Sequence, residues 1–301
     1  PASSDSVGQV TDTTTFTVTG LTNTTPYYFK VKAINTSNQA GEYSSQVTAT
    51  PEYQGPDWYV AVAASGGSAS NEGSSNSPML YISDAVTAAS TGDTVYIGAG
   101  THQYSSASNW NIPFDGSKTL VIKGAGASTT IIDANQKHRH FYFNASSSNS
   151  LLDTTFKIMD LTLKNGRPQS TDNGGSVYMY GHYVSNYGDK GHSPLFQNVV
   201  FQSNQTRFTT NDYHKYGGAV YAYRSTPSFR DVTFKYNTTT TEGGAIYLYN
   251  LDTNKTVTFE RTIFTSNHVE PQENQQTSYY GGAVYLQGCG KTVFNNCVFD
   301  S

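Results

Sequence analysis

Two short motifs alternate through the second half of the chain, and together they restrict what it can fold into. The first is Gly-Gly, a small residue, an aliphatic residue and Tyr. It occurs as Gly217-Gly218-Ala219-Val220-Tyr221, Gly243-Gly244-Ala245-Ile246-Tyr247 and Gly281-Gly282-Ala283-Val284-Tyr285, with Gly174-Gly175-Ser176-Val177-Tyr178 as a near copy. The second is Phe-x-x-Asn, at Phe201 to Asn204, Phe234 to Asn237 and Phe264 to Asn267. Measured between the glycines, one cycle takes 26 to 43 residues. Repeats of this size, irregular in length and without helical periodicity, mark a β-solenoid with loop insertions.

The inward face follows from the phase. Val199 and Phe201, Val232 and Phe234, Thr262 and Phe264, and Cys297 and Phe299 occupy equivalent slots, as do Val220, Ile246 and Val284. Stacked coils would pile each set into a ladder at about 4.8 Å per rung. The Gly pair suits a tight bend where a Cβ would clash, and the repeated Asn suits an amide ladder in a turn. In the earliest repeat, after Asp160-Leu161-Thr162-Leu163, Gly166 takes the Asn slot and Asn165 sits one residue early, so this repeat is expected to turn differently. These paired motifs, from about residue 156 to the end, resemble the repeats of chlamydial polymorphic outer-membrane proteins and related bacterial surface proteins.

Ahead of the repeats, Trp58-Tyr59-Val60-Ala61-Val62 reads as a first strand and Ser65 to Asn76 as a polar loop. A short helix is expected next. Ser77 suits its N-cap and Pro78 its first turn; Ile82, Ala85, Val86 and Ala89 share one face, and Gly92 is placed to end it. Gly92-Asp93-Thr94-Val95-Tyr96-Ile97 then re-enters a strand before Gly100-Thr101. The order resembles the N-terminal cap of pectin-lyase-like proteins. There, a helix covers the open end of a right-handed parallel β-helix, where apolar interior and a pairing edge would otherwise be bare.

The N-terminal residues read differently. Tyr27, Phe29, Val31 and Ala33 alternate with Tyr28, Lys30 and Lys32, as in a half-buried antiparallel strand. Leu21 lies six residues before Tyr27, the spacing of the tyrosine corner of β-sandwiches. With Asn35, Gly41, Ser44-Ser45 and Thr50-Pro51, the pattern resembles the last strands of a fibronectin type III domain. The expected organisation is all-β: residues 1–51 as the C-terminal part of such a sandwich, 52–57 as linker, and 58–301 as a right-handed parallel β-helix with a short capping helix, incomplete at its C-terminal end. The native chain is expected to continue upstream, and position 302 is expected to be Asn.

Composition narrows function by exclusion. Charged residues make up 13% and the formal net charge is −4, without the basic stripe of a nucleic-acid binder or a polybasic membrane anchor. No apolar run is long enough for a membrane-spanning helix, and no signal peptide opens the chain. Sequons such as Asn237-Thr238-Thr239 occur at a frequency that this much Ser and Thr explains. The composition, rich in Ser, Thr and Asn, fits a secreted or cell-surface location in a bacterium.

The most distinctive outward residues are tyrosines. Tyr178, Tyr221, Tyr247 and Tyr285 should stack on one face, with Tyr180, Tyr223 and Tyr249 beside them and Gln287 breaking the second row. A flat aromatic wall with hydroxyl tips suits sugar rings or a protein partner; equally, tyrosine pairs stabilise a sheet with no ligand at all. Proteins of the pectin-lyase-like class include lyases, which need a base and a cation beside a uronate. Arg167, His182, His214, Lys215 and Arg224 flank the Gly-Gly strands and are the candidates for such a site, each with an ordinary surface role as the alternative. Lys137-His138-Arg139-His140 is a local basic run without a carboxylate or Cys beside it, so no metal site and no cofactor are expected. Cys289 and Cys297 are the only cysteines; a disulfide is one reading, and a small buried apolar role for Cys297 the other. The leading expectation is a non-catalytic structural or adhesive module of a larger secreted protein, with glycan or other chains of a surface assembly as partners and no nucleic acid. The alternatives are a polysaccharide lyase or other carbohydrate-active enzyme, and a subunit of a surface filament or sheath.

Overall fold

The computed structural model describes residues 8–11, 14–104, 110–145, 151–168, 172–184, 188–206, 215–251, 255–270 and 280–300. The chain divides into two units, 1–54 and 55–301.

In the first unit, Tyr27–Phe29 pairs antiparallel with Val47–Ala49, and Lys32–Ile34 with Ala40–Tyr43. The tyrosine-corner contact is present: Thr22 N–H donates to the Tyr27 hydroxyl at 2.9 Å. The expected half-buried face is not. Tyr27 and Phe29 are half-buried, but Ala33 is exposed and Val31 is 72% exposed. Two two-stranded ribbons, with no second layer over them among the described residues, cannot hide that face.

The second unit is built from parallel strands. One thirteen-stranded sheet stacks Asp57–Val60, Thr94–Ile97, Val121–Gly124, Lys157–Lys164, Leu195–Gln202, Ser228–Arg230, Thr256–Glu260 and Lys291–Asn295, with shorter strands continuing each rung. A six-stranded sheet stacks Ile112–Phe114, Phe141–Asn144, Val177–Tyr180, Val220–Tyr223, Ile246–Tyr249 and Val284–Gln287. The chain visits the two sheets in turn and returns one rung further along, which defines a parallel β-helix. The right hand expected from the sequence is the one that crossovers between parallel, right-twisted strands almost always take.

The interior explains the motifs. Phe201, Phe234, Phe264 and Phe299 stack at 4.7, 5.1 and 4.7 Å, and Phe196, Phe229, Phe259 and Phe294 at 5.4, 5.0 and 4.7 Å. Asn204, Asn237 and Asn267 form the amide ladder: Asn204 Nδ2 donates to Asn237 Oδ1 at 3.0 Å, and Asn237 Nδ2 to Asn267 Oδ1 at 2.9 Å. Gly166 occupies the next rung, and its N–H donates to Asn204 Oδ1 at 2.7 Å, so the earliest repeat keeps the turn with its backbone alone. Asn237 has no exposed surface, which removes its sequon from glycosylation in the folded chain.

In the Gly-Gly pair the two glycines do different work. The first takes a positive φ, +67° at Gly217 and Gly243. A Cβ on the second would meet the next rung's backbone, 2.0 Å from Gly244 O in the case of Gly218. A further corner was not marked by any motif: Asp160, Asn198, Asp231, Arg261 and Asn296 all have φ between +47° and +59° and bend the rungs of the large sheet from Lys157–Lys164 onward.

At the N-terminal end the helix α1 spans Ile82–Ala88, and Ile82, Ala85, Val86 and the following Ala89 are buried as expected. Its start differs from expectation. Tyr81 is the N-cap, with no side-chain cap, and residues 77–80 are not helical. That segment instead covers the free edge of the first strand, through Met79 N–H to Tyr59 O at 2.8 Å and Ala61 N–H to Met79 O at 2.9 Å. Unpaired strand edges are costlier than an uncapped first turn. The helix C-terminus is closed by Lys118, whose Nζ reaches the carbonyls of Val86, Thr87 and Ala89 at 2.7 to 2.9 Å.

Candidate functional site

Parallel pairing in register puts identical residues side by side, so the outward positions of the six-stranded sheet become two columns of tyrosine. Tyr178, Tyr221, Tyr247 and Tyr285 are register partners, as are Tyr180, Tyr223 and Tyr249. In the first column the rings of Tyr142, Tyr178, Tyr221, Tyr247 and Tyr285 follow one another at 5.4, 5.1, 5.5 and 5.2 Å, with interplanar angles of 9° to 20°. In the second, Tyr180 and Tyr223 lie 5.1 Å apart and Tyr223 and Tyr249 5.4 Å. Gln287 ends this column and accepts a hydrogen bond from the Tyr247 hydroxyl at 2.7 Å.

This geometry corrects the expectation of a flat platform. The ring faces are used on each other, so solvent meets ring edges and hydroxyls. The first column is also walled in: Tyr221 and Tyr247 are only 8% and 4% exposed. Tyr216 stacks on Tyr247 at 4.6 Å, Tyr280 on Tyr285 at 5.8 Å, and the Arg139 guanidinium lies 4.9 Å from the Tyr178 ring centre. Burial holds the phenols of Tyr178, Tyr221 and Tyr247 protonated, far above their ordinary range. The second column is half-buried along its whole length, whereas the first is closed at Tyr221 and Tyr247, so the second is the continuous accessible one.

Several participants carry no motif. Tyr142 opens the first column from Phe141-Tyr142-Phe143, which lacks a Gly-Gly pair; its alternation between two buried phenylalanines is the signal that could have found it. Arg139, from the basic run, is buried, bonds Asp172 at 2.8 Å and the carbonyls of Gly174 and Asn173 at 3.0 and 2.7 Å, and so serves as an internal tie. The same run is split in three: His138 stacks on Trp110, and His140 is buried between Ser176 Oγ at 2.9 Å and Ile132 O at 3.0 Å.

The four lyase candidates among the described residues are not gathered in one place. Arg167 and Lys215 lie in the segments between the Asn corner and the Gly-Gly turn, whereas His182 and Arg224 follow the other end of the Gly-Gly strands. Arg167 N–H donates to His138 O at 2.8 Å. Lys215 is buried, and its carbonyl accepts from Thr239 and Thr241 Oγ1 at 2.5 and 2.6 Å. His182 packs its ring edge on Tyr180 at 5.2 Å, and the Arg224 guanidinium lies 5.0 Å from the Tyr223 ring centre, with Nη2 2.9 Å from the Asn250 amide oxygen. His214 lies outside the described residues. Cys289 and Cys297 are not bridged; both thiols are free. Each is aimed at a carbonyl of the preceding coil, Cys289 at Leu248 O and Cys297 at Phe259 O, both at 3.4 Å.

The registered parallel sheets and the side-chain ladders inside them define the chain's second unit as a parallel β-helix. Within it, residues 231–249 match the Chlamydia polymorphic membrane protein repeat, a stretch that runs from a Phe-x-x-Asn corner through a Gly-Gly strand. Among solved structures, the chain is similar to a pectin methylesterase variant in complex with a hexasaccharide (14% identity, 83% of this chain and 80% of that one, TM-score 0.29). It is also similar to pectin methylesterase PemA from Erwinia chrysanthemi (13% identity, 84% and 81%, TM-score 0.28). At those scores the likeness is loose, and the fold rests on the strand register above. A search of curated protein sequences gives no match. No helix among the described residues is long and apolar enough to cross a membrane.

Proposed function

We propose that this chain is a structural and adhesive module of a larger secreted or cell-surface bacterial protein, contacting glycan or a second protein through its second tyrosine column, with a partial fibronectin type III domain as the N-terminal unit. The observation that carries the reading is the column itself. Tyr180, Tyr223 and Tyr249 are held in place by ring stacking before any ligand arrives, so little side-chain entropy is lost on binding. Their exposed edges and hydroxyls offer hydrogen bonds at a regular spacing, flanked by His182 and Arg224. The tyrosine corner at Tyr27 supports the reading of the N-terminal unit. The alternative, a lyase, needs its base and its cation at one uronate; the described candidates divide between the two ends of the Gly-Gly strands, Arg167 with Lys215 and His182 with Arg224.

The test is binding of the 301-residue chain to a glycan array and to host-cell protein extracts. Tyr223→Ala and Tyr249→Ala should each weaken binding about tenfold or more, the scale of a lost aromatic contact. Binding that survives both changes sinks the tyrosine reading. In parallel, acidic polysaccharides are incubated with the chain while unsaturated uronate absorbance is followed. Product that disappears in Arg167→Ala or Lys215→Ala overturns the non-catalytic reading.

A further inference from the structure

A two-stranded hairpin, His182–Val184 against Gly188–Lys190, leaves the solenoid just after the Tyr180 rung and rejoins it through Gly191, His192 and Ser193. Its return is tied to the coils on both sides. Ser193 N–H donates to Leu152 O at 2.7 Å, Thr226 N–H donates to His192 O at 3.0 Å, and the Ser193 and Thr226 hydroxyls are 2.6 Å apart. The remaining tie differs in kind: Leu152 N–H donates to the imidazole Nδ1 of His192 at 3.0 Å, and both residues are fully buried.

A backbone N–H can only donate, so Nδ1 must keep its lone pair and the imidazole must be neutral with its proton on Nε2. Protonation would set N–H against N–H. The amide has no way to turn, unlike the Ser176 hydroxyl beside His140 Nδ1, which can rotate from donor to acceptor. The charged groups that bear on His192 are Asp115, which follows the Ile112–Phe114 strand, and Lys255, which precedes Thr256–Glu260; the Phe143 ring packs at 6.2 Å. Burial is the largest influence and holds the imidazole below its ordinary range, with the Asn144 backbone carbonyl and then Asp115 opposing it.

We propose that His192 is an acid-sensitive pin at the hairpin root: once protonated it releases Leu152, and the hairpin strands His182–Val184 and Gly188–Lys190, which border the accessible tyrosine column at Tyr180, loosen from the solenoid. The device is independent of what the column binds. Neutral conditions keep the rim closed, and acid opens it locally while the Asn and Phe ladders persist.

The test is amide hydrogen exchange on the 301-residue chain, read as protection corrected for the intrinsic rate, from pH 7 down to about pH 4.5. Protection at Leu152 and across 182–184 and 188–193 should fall by about tenfold per pH unit below the imidazole's lowered pKa. In His192→Asn, an amide oxygen takes the place of Nδ1 and does not titrate, so protection there should stay level with pH. An identical pH dependence in the Asn variant, or undiminished wild-type protection in a sample whose His192 has become protonated by its ring nitrogen shifts, overturns the proposal. The second measurement uses wild-type protein alone and decides the matter even if the variant fails to fold.

Discussion

Three imidazoles are held inside the solenoid, His102, His140 and His192, and burial lowers the pKa of each. For His140 burial takes the pKa down to about 4, against the raising influence of the Ile132 carbonyl, Asp133 and the Lys164 carbonyl. The sign follows from proton counting. Between the unfolded value of about 6.5 and the folded value, the unfolded chain takes up a proton and the folded chain does not, so stability falls as pH drops through that window. His140 alone should remove about 3 kcal/mol between neutral pH and pH 4; urea titrations across that range should show it, and His140→Gln should flatten the dependence. Asn237 is the other residue on which much converges. It accepts from the backbone N–H and the Nδ2 of Asn204, both at 3.0 Å, and donates to Phe201 O at 3.0 Å and to Asn267. Asn237→Ala leaves these buried groups unpaired and should cost about 3 kcal/mol or more by chemical denaturation. Phe-x-x-Asn was readable as a turn ladder because the pattern repeats. The burial of the histidines was not readable, since nothing near His192 in sequence announces that Leu152, forty residues earlier, needs an acceptor.

At the level of the element, the Gly-Gly turn shows how a short motif specifies a strand entry. The decisive contact is between rungs: a side chain on the second glycine strikes the carbonyl of the equivalent glycine in the next coil. Gly218→Ala should therefore abolish folding or lower the melting temperature drastically, with Gly244 O only 2.0 Å from the new Cβ. Gly92→Ala is the control. It also has a positive φ, +96°, but no atom lies within 4 Å, so the cost should stay near the backbone penalty of about 1–2 kcal/mol. Thermal melts of the two variants separate the terms. Sequence reading located α1 by its apolar face and misplaced its start, since Ser77-Pro78 is an equally good signal for helix entry and for an extended segment. What settled the matter was the unpaired edge of the first strand, which local propensity does not contain.

Across the whole molecule, the β-helix is a one-dimensional stack in which each coil touches its neighbours, so the effect of a change depends on where in the stack it falls. Phe229 lies between Phe196 and Phe259 and is buried, whereas Phe299 stacks only on Phe264 and Phe294 and is 55% exposed. Phe229→Ala should cost about 3–5 kcal/mol and lower hydrogen-exchange protection in the coils on both sides. In a chain cut at residue 301, where no further coil covers it, Phe299→Ala should cost well under half of that and leave distant coils unchanged. Equal losses at the two sites would contradict a stack held together by nearest-neighbour contacts.

The repeat by itself determined the solenoid, the inward phenylalanines, the asparagine ladder and the existence of stacked tyrosines. All of these depend on a period, and register pairing turns a period into a ladder whatever lies in the loops. Only the tertiary structure decided which tyrosine column is accessible, that the ring faces are spent on one another, and that the cationic candidates part to opposite ends of the strands. Those outcomes depend on contacts between coils separated by insertions of unequal length. Arg139 reaching Asp172 and Tyr178, Tyr216 covering Tyr247, and His192 holding Leu152 are set by where the chain returns in space. No local pattern encodes such a return, because the energy that fixes it arises only when distant coils are already packed.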